Sequence, residues 1–481
     1  MSITSKPYQT IMSKRGYSIT KEDLKDEDLK KIKKDLTVSP LSNMSFGPPP
    51  TSFKLYKESI NRIYIPKAYG IKNFGNPLNN KLQTNNIEDI NIQFQGSMRE
   101  TQKPVIDAFL KESKLNGGGV VCLPCGFGKT VIGLKILAEL GKKTLIVCHK
   151  EFLLNQWKER IEMFIPNVKI GYIQQKKVDI DDKDIVLGML QSIAMRDYSE
   201  NTFDSFGFVI FDECHHLGAE VFSRALPKLN VPYMLGLSAT PDRKDGLSKV
   251  FEYYLGDMVY CVKDRDPDTV CVKIIKYFSD TEEYVKPEIN FRGQLNSPAM
   301  ITKVCNYEHR SQVIIQEIKD LIKIGRRILV LSERREHLNF IYKELTTNNI
   351  VDCGFYVGGM KQEELNNSSK KQVVLGTFHL ASEGMDVPEL NTIILASPKT
   401  DIIQSIGRIF RQKAEDREHQ PLIVDIIDEN IKSFKNKFYT RHKIYKQNKY
   451  IIEKKEIVEK NKRIVQNRFD TEIKLDKCLI E

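Results

Sequence analysis

Residues 120–130 read Val120-Val121-Cys122-Leu123-Pro124-Cys125-Gly126-Phe127-Gly128-Lys129-Thr130. An apolar run passes directly into Gly-x-Gly-Lys-Thr, and residues 130–140 then take up helical spacing. A strand, a glycine turn and a helix start in that order bring unpaired backbone N–H groups and the positive end of a helix dipole to one point. Glycines let such a backbone close around phosphate oxygens. Lys129 would reach the β/γ-phosphates and the Thr130 hydroxyl would ligate Mg²⁺. The full phosphate-loop pattern wants glycine at 123, where this chain has Leu123. Taken alone, the same letters also fit a chance turn.

A second stretch narrows the choice. Phe208-Val209-Ile210-Phe211 is an apolar strand that ends in Asp212-Glu213-Cys214-His215. Phosphoanhydride hydrolysis needs one carboxylate to hold the metal's water shell and another to polarise the attacking water. Asp212 fits the first role and Glu213 the second. Two surface acids at a strand end is the plain alternative, and it loses ground once a phosphate loop lies upstream. His215 and His216 are poor candidates to share one metal ion, since neighbouring side chains point to opposite sides.

Around these motifs the chain has a regular rhythm. Thr144 to Cys148, Ile185 to Met189 and Tyr233 to Leu237 read as further buried strands, with helical spacing between them. The rhythm returns at Ile328 to Leu331, Val351 to Tyr356, Val373 to Leu375, Thr392 to Leu395 and Leu422 to Ile426. Strands alternating with helices predict an α/β chain with two parallel-sheet domains in tandem. We expect a first domain over 89–257, a linker with a small insertion over 258–305 and a second domain over 306–430. Residues 1–88, with Pro48-Pro49-Pro50 and many asparagines, read as an N-terminal extension or small accessory domain. Residues 431–481 read as a basic helical tail.

The chain has 481 residues, 41% hydrophobic and 28% charged, which suits globular domains and excludes disorder throughout. No apolar run approaches membrane-span length and no secretory leader is evident, so an intracellular protein without a membrane partner is expected. The nine cysteines have irregular spacing, and the lone Cys122-x-x-Cys125 lies inside the phosphate loop, so reduced thiols are expected. Net charge is +11, of which residues 431–481 carry +8, from 15 basic and 7 acidic residues. A concentrated excess of that kind points to a polyanion; a solvated lysine-rich helix is the plain alternative.

Gly126-Phe127-Gly128-Lys129-Thr130, Asp212-Glu213-Cys214-His215, Ser238-Ala239-Thr240 and Gln404-x-x-Gly407-Arg408-x-x-Arg411 occur in this order. Together they resemble the superfamily 2 helicases and nucleic-acid translocases of DExH type, over about residues 90–430. The resemblance implies two RecA-like domains with ATP and Mg²⁺ in the cleft between them and nucleic acid across their tops. It implies an adenine-reading element at Arg99 and Gln102, although Met98-Arg99-Glu100-Thr101-Gln102 departs from the usual Leu-Arg-Pro-Tyr-Gln. It implies nucleic-acid contacts at His149 and Lys150 and at Gln191 and Ser192, and coupling through Ser238 and Thr240. In the second domain, Thr377, Glu383, Gly384 and Asp386 resemble the motif that touches both polymer phosphate and the ATP cleft. Gln404, Arg408 and Arg411 resemble the arginine-finger motif, whose guanidinium groups would stabilise charge on the γ-phosphoryl.

Finer resemblances lie with two branches. Val147-Cys148-His149-Lys150 and Gln404 replace the DEAD-box RNA helicase residues, and Arg243-Lys244-Asp245 resembles the Arg-Glu-Asp element of repair and transcription-factor helicases. The phosphate loop and Asp212-Glu213-Cys214-His215-His216 look most like the transcript-release helicases of poxviruses and related large DNA viruses. The expectation is therefore an ATP-driven motor on DNA, in viral transcription or repair and working with transcription machinery, in host cytoplasm if viral. An RNA helicase, a duplex translocase that separates no strands, and a scaffold without turnover are the alternatives. Lys129, Thr130, Asp212, Glu213, Gln404, Arg408 and Arg411 are all present, which disfavours the scaffold.

Overall fold

The computed structural model describes residues 8–41, 51–83, 86–124, 126–239, 243, 245–262, 270–347, 351–380, 385, 387, 389–410, 417–460 and 463–471. The chain divides into two compact units, 1–263 and 264–481.

The first unit is built on an eight-stranded sheet. Its strand order is Lys177–Asp179, Ile170–Gln174, Ile185–Met189, Thr144–Cys148, Phe208–Asp212, Tyr233–Ser238, Gly118–Cys122, Met258–Cys261. Every pairing is parallel except Ile170–Gln174 with Lys177–Asp179. The Phe208–Asp212 strand shows why its apolar run is continuous. Phe208 and Ile210 enter a core with Phe109, Ile132 and Trp157, while Val209 and Phe211 enter another with Leu217, Ala225 and Phe251. A strand covered on both faces has no solvent side on which to alternate polar residues. Met258–Cys261, within the segment read as a linker, is the edge strand of this sheet.

The described residues before 89 form a small module within the first unit. Five short strands pair in the order Lys57–Glu58, Arg62–Ile65, Gly16–Thr20, Thr10–Ser13, Asn79–Asn80, with helices Asp26–Asp35 and Lys67–Phe74 against them. Arg62 knits the sheet, donating to Ser18 Oγ, Thr20 Oγ1 and the carbonyls of Gln9 and Ser18. Gly70 lies flat on the buried Tyr17 ring, where an added Cβ would sit 2.3 Å from a ring carbon. The module is fastened to the large sheet by Lys67, whose buried ammonium donates to the carbonyls of Gly117, Val231 and Pro232. Burial pushes its pKa down to about 7.

The second unit repeats the architecture. Its order is Cys353–Tyr356, Val373–Thr377, Ile328–Ser332, Thr392–Leu395, Leu422–Asp428, Cys271–Phe278, Ile451–Lys460, Arg463–Thr471. All pairings are parallel except the last. Cys271–Phe278, within the segment read as a linker, is therefore an interior strand. Among its described residues the tail is helical over Lys432–Gln447, after which the chain returns as two strands. Isoleucine and valine at 451, 452, 457 and 458, set among lysines and glutamates, suit an outer strand better than a helix.

Two buried ion pairs hold the second unit. Arg310 meets Asp428 through both guanidinium and carboxylate ends, donates to the Ala396 carbonyl, and shares Asp428 with the Tyr284 hydroxyl. Arg441 and Tyr445 of the Lys432–Gln447 helix both donate to Asp425, in the middle of the Leu422–Asp428 strand. Phe434, Phe438, Arg441 and Tyr445 are buried, and Lys435 pairs with Glu429. Removing one partner of such a pair strands a buried charge. Arg310→Ala should destabilise the second unit by about 3–5 kcal/mol. Urea unfolding followed by circular dichroism should show the loss, while fluorescence of the chain's single tryptophan, Trp157 in the first unit, keeps its midpoint.

Candidate active site

The sequence motifs of the first unit converge at the carboxyl ends of its parallel strands. Gly118–Cys122 leads into the glycine loop, Phe208–Asp212 into Glu213, Tyr233–Ser238 into Ala239, Thr144–Cys148 into His149, and Ile185–Met189 into Gln191 and Ser192. Open parallel sheets bind ligands at this edge.

The glycine loop is held from behind. Gln102 Nε2 donates to the Phe127 carbonyl at 2.8 Å, and Gln102 Oε1 accepts from the Arg99 N–H at 3.0 Å. Gly128 has φ +93°, and an added Cβ would lie 2.5 Å from Gln102 Nε2. Both the left-handed backbone and the lack of space require glycine here. Gly126 is likewise left-handed, at φ +82°. The Lys129–Leu140 helix starts immediately after, so Lys129 and Thr130 occupy its first turn.

Lys129 Nζ lies 2.8 Å from Glu213 Oε1, and both side chains are largely buried. Glu213 adopts φ +49°, ψ +54°, a left-handed conformation that costs free energy for any residue with a Cβ. Its neighbour Asp212 accepts from the Trp157 indole N–H through Oδ2 at 2.9 Å, and from the Glu213 N–H through Oδ1 at 3.0 Å. The two carboxylates are driven apart. Burial and the charge of Glu213 raise the Asp212 pKa. Burial would raise Glu213 too, but the Lys129 ammonium and His215 outweigh it and hold Glu213 below the ordinary carboxylate range.

Behind Glu213 the chain is pinned. His215 Nδ1 lies 3.0 Å from Ser238 Oγ, joining two strand ends. Arg243 grips both oxygens of Asp245 and donates to the His215 carbonyl. Gly218 leaves room for it, since a Cβ there would sit 2.7 Å from Arg243 Cδ. His149 stacks on His216 with ring centroids 3.8 Å apart, and His216 lies 4.3 Å from His215. Among the described residues no group of three or more His, Cys, Asp or Glu is placed to hold a metal ion. Lys150 caps the Glu151–Phe164 helix that carries Trp157, and burial lowers its pKa to about 8. Gln191 is exposed, and Ser192 Oγ accepts from the Gln175 N–H.

In the second unit Thr377 ends the Val373–Thr377 strand, and Gln404 lies in the short helix Ile403–Ile406. Arg408 is buried and donates to the Met385 carbonyl at 2.7 Å rather than projecting into solvent. Thr240, Lys244, Glu383, Gly384, Asp386 and Arg411 lie outside the described residues, as does the side chain of Gln404.

Two contacts went unread in the sequence. Trp157 lies in the helix that follows His149 and Lys150, but its bond to Asp212 spans 55 residues. The usable signal was that it is the chain's only tryptophan, with an indole N–H that needs a partner once buried. The Arg243 bond to His215 likewise joins two motifs read separately.

Comparison with known proteins agrees with this geometry. The family described as "Type III restriction enzyme, res subunit" matches residues 95–243, and "Helicase conserved C-terminal domain" matches 310–413. A protein of Acanthamoeba polyphaga mimivirus, named for an inferred ATP-dependent RNA helicase activity (L396), is 35% identical over 90% of this chain and 84% of its own length. An African swine fever virus protein named in the same way (QP509L) is 27% identical over 66% of this chain and 67% of its own length. The structure of S. cerevisiae Dbp5 bound to RNA and ADP BeF3 aligns with a TM-score of 0.50 and 13% identity, over 74% of this chain and 89% of that one, and shares the fold. The chain belongs to the superfamily 2 helicases of large DNA viruses. It is an ATP-dependent helicase-type enzyme acting on nucleic acid, with tandem RecA-like domains. Among the described residues no helix is long and apolar enough to cross a membrane.

The stacked histidines give the first unit a pH-dependent stability. Burial, then the nearby Lys150 cation, lowers His149 to about 4. Burial, then His149, lowers His216 to about 3. Unfolded imidazoles titrate near 6.5, so between about 6.5 and 4 the unfolded state binds more protons. First-unit stability should therefore fall as pH drops through that window. Urea midpoints read from Trp157 fluorescence at pH 7.5, 6 and 5 should show the decline, and His149→Gln with His216→Gln should flatten it.

Proposed function

We propose that this chain is a nucleic-acid-stimulated ATPase that moves along DNA during viral transcription, with the first unit's strand edge as its hydrolytic site. The observation that carries the site is the 2.8 Å pair between Lys129 of the glycine loop and Glu213. Lys129 is held where a phosphate would displace the carboxylate as its partner. The residues also fit a nucleotide and its metal. Gly126 and Gly128 hold the loop in left-handed conformations that a Cβ would strain, the Lys129–Leu140 helix turns its first turn to the loop, and Thr130 supplies a hydroxyl.

In this reading Gly126, Phe127 and Gly128 wrap the phosphates, and Lys129 compensates their charge. Thr130 and Asp212 hold Mg²⁺, which when bound neutralises charge on the phosphoryl oxygens. Trp157 fixes the orientation of the Asp212 carboxylate. Glu213, released from Lys129, orients the attacking water and takes its proton. Arg99 and Gln102 stand by the loop as the adenine-reading pair; the Gln102 amide keeps one N–H and one lone pair beyond those the loop and Arg99 use. Arg408 and Arg411 would supply charge to the γ-phosphoryl, and Gln404, Gly384 and Asp386 would serve the nucleotide as the resemblance implies. His149, Lys150, Gln191, Ser192 and Thr377 contact the polymer, and Ser238 and Thr240 relay the state of the nucleotide.

DNA is favoured over RNA by the Arg243-x-Asp245 element and by Cys148-His149-Lys150 in place of the DEAD-box residues. RNA is the second reading, favoured by the RNA-helicase names of the viral relatives. ATPase rates with no polymer, single-stranded DNA, duplex DNA, RNA and a DNA–RNA hybrid separate them. DNA should stimulate most, and stimulation by RNA alone would overturn the DNA assignment.

Lys129→Ala and Glu213→Gln should both abolish hydrolysis by different steps. The first removes charge from the phosphate cradle and should weaken ATP binding. The second removes the base and frees Lys129 from its ion pair, so ATP should bind as well as in the parent or better. Equilibrium nucleotide titration distinguishes the two.

Arg408→Ala and Arg411→Ala should each cut polymer-stimulated turnover by roughly 10²-fold or more while leaving ATP affinity near normal. Because Arg408 also satisfies the Met385 carbonyl, its variant should lose some thermal stability as well. Turnover and melting measured on both proteins check this.

A further inference from the structure

Within the second unit, residues 288–296 form a small hairpin whose apolar residues Ile289, Phe291 and Leu295 are all exposed. Ile289 pairs with Leu295, the Asn296 N–H donates to the Glu288 carbonyl, and the Asn290 N–H donates to the Gln294 carbonyl. The tip locks itself. Asn290 Oδ1 accepts from the N–H groups of Arg292 and Gln294, and Gly293 at φ +74° closes the turn. This rigid turn presents Phe291 at 92% exposure, with Ile289 and Leu295 half exposed beneath it. The Arg292 guanidinium lies 5.1 Å from the Phe291 ring centroid. Lone apolar residues on a surface are ordinary. A large aromatic ring held out on a preorganised tip, with one flank against a guanidinium, is a different arrangement.

The hairpin lies just ahead of a helix that meets a basic side chain of the unit. Its downstream residues begin the Ser297–Asn306 helix, and Arg334, two residues past the carboxyl end of the Ile328–Ser332 strand, donates to Thr302 Oγ1 and the Pro298 carbonyl of that helix. Arg334, Lys399 and Arg441 all act electrostatically on Lys437, whose pKa is lowered first by burial and then by these like charges, with Glu333 opposing them. Arg441 is neutralised by Asp425, so Arg334, Lys399 and Lys437 around Glu333 leave a basic edge suited to a polyanion.

We propose that Phe291 is a stacking contact for an unpaired base of the nucleic acid on which this enzyme acts. The face of its ring away from Arg292 can take a base, while Arg292 adds cation–π attraction and N–H donors for the adjoining phosphate. A paired base offers the contact far less than an unpaired one, so the contact selects single strand or the unpaired arm of a fork. The inference rests on the reading of this chain as a nucleic-acid motor.

The test uses the full chain and fluorescence anisotropy with a 20-nucleotide single strand, as DNA and as RNA, and a blunt 20-base-pair duplex at 0.15 M salt. Phe291→Ala should weaken single-strand binding roughly 5- to 100-fold, the range of one lost base–aromatic stack, and change duplex binding less than about 2-fold. Phe291→Trp should restore the single-strand affinity and Phe291→Leu should not, because a π-face and not apolar bulk is required. All three variants should melt with the parent, since the side chain is exposed. Equal single-strand affinity in the parent and Phe291→Ala overturns the contact. So does full rescue by leucine, or a change confined to self-association in sedimentation, which would mark a protein-docking tip. If the parent binds no polymer and none stimulates its ATPase, the motor reading falls and takes this inference with it. If the parent binds and the variants match it, only the hairpin assignment falls.

Discussion

Burying a parallel strand on both faces leaves only its ends to carry polar chemistry. Each sheet here is built under that constraint, and the rest of the molecule follows from it. Phe208 to Phe211 are fully apolar because helices cover them from two sides, so the first carboxylate the strand can afford is Asp212, at its last position. The same holds for Gly118–Cys122 ahead of the glycine loop and Tyr233–Ser238 ahead of Ala239. These three strands are neighbours. Residues more than a hundred positions apart therefore meet at one edge without any motif encoding the meeting.

That edge concentrates charge in a poorly solvated place, and the contacts around it are arranged against the cost. Lys129 and Glu213 neutralise each other, while Asp212, unable to share the same cation as closely, takes the indole N–H of Trp157. Two adjacent carboxylates thereby acquire different environments and opposite pKa shifts. This is the condition for giving one a ligand role and the other a proton-transfer role. The left-handed backbone at Glu213 is the local strain that aims the second carboxylate back at the loop. Trp157 also belongs to the Glu151–Phe164 helix that His149 and Lys150 introduce, so a shift of that helix has a one-bond path to Asp212.

The parts legible in the sequence are those whose chemistry is consecutive. Strand, glycine loop and helix start lie within 120–140, and Asp212-Glu213 follows its own strand directly, so both could be placed from letters alone. Periodicity also carried the α/β class, because strands buried on both faces leave unbroken apolar runs. Contacts through space were not legible. Lys67 looks like any surface lysine, yet it joins the N-terminal module to three carbonyls of the large sheet. Cys271–Phe278 looked like linker because lysines at 273 and 276 interrupt its apolar run; the fold tolerates them by pairing them with Glu317 and Glu456. Arg408 reads as a finger in sequence, and its bond to Met385 could be seen only in three dimensions.

The tail shows how one composition serves two purposes. Seven basic and no acidic residues over 431–450 read as either a polymer-binding strip or a solvated helix. Asp425 resolves part of that choice. A carboxylate at the centre of a buried strand is tolerable only if paired, and Arg441 with the Tyr445 hydroxyl meets it there. One cation of the seven is thus spent inside the unit, and Phe434, Phe438 and Tyr445 follow it inward, so the helix cannot be a loose polycation. Docking in turn fixes Lys437 next to Lys399 and Arg334, where a mobile tail would let like charges separate. Holding cations together costs free energy in the isolated protein, and a polyanion laid across that edge would recover it. The anchor that makes the helix structural is therefore also what makes its outward charge directional.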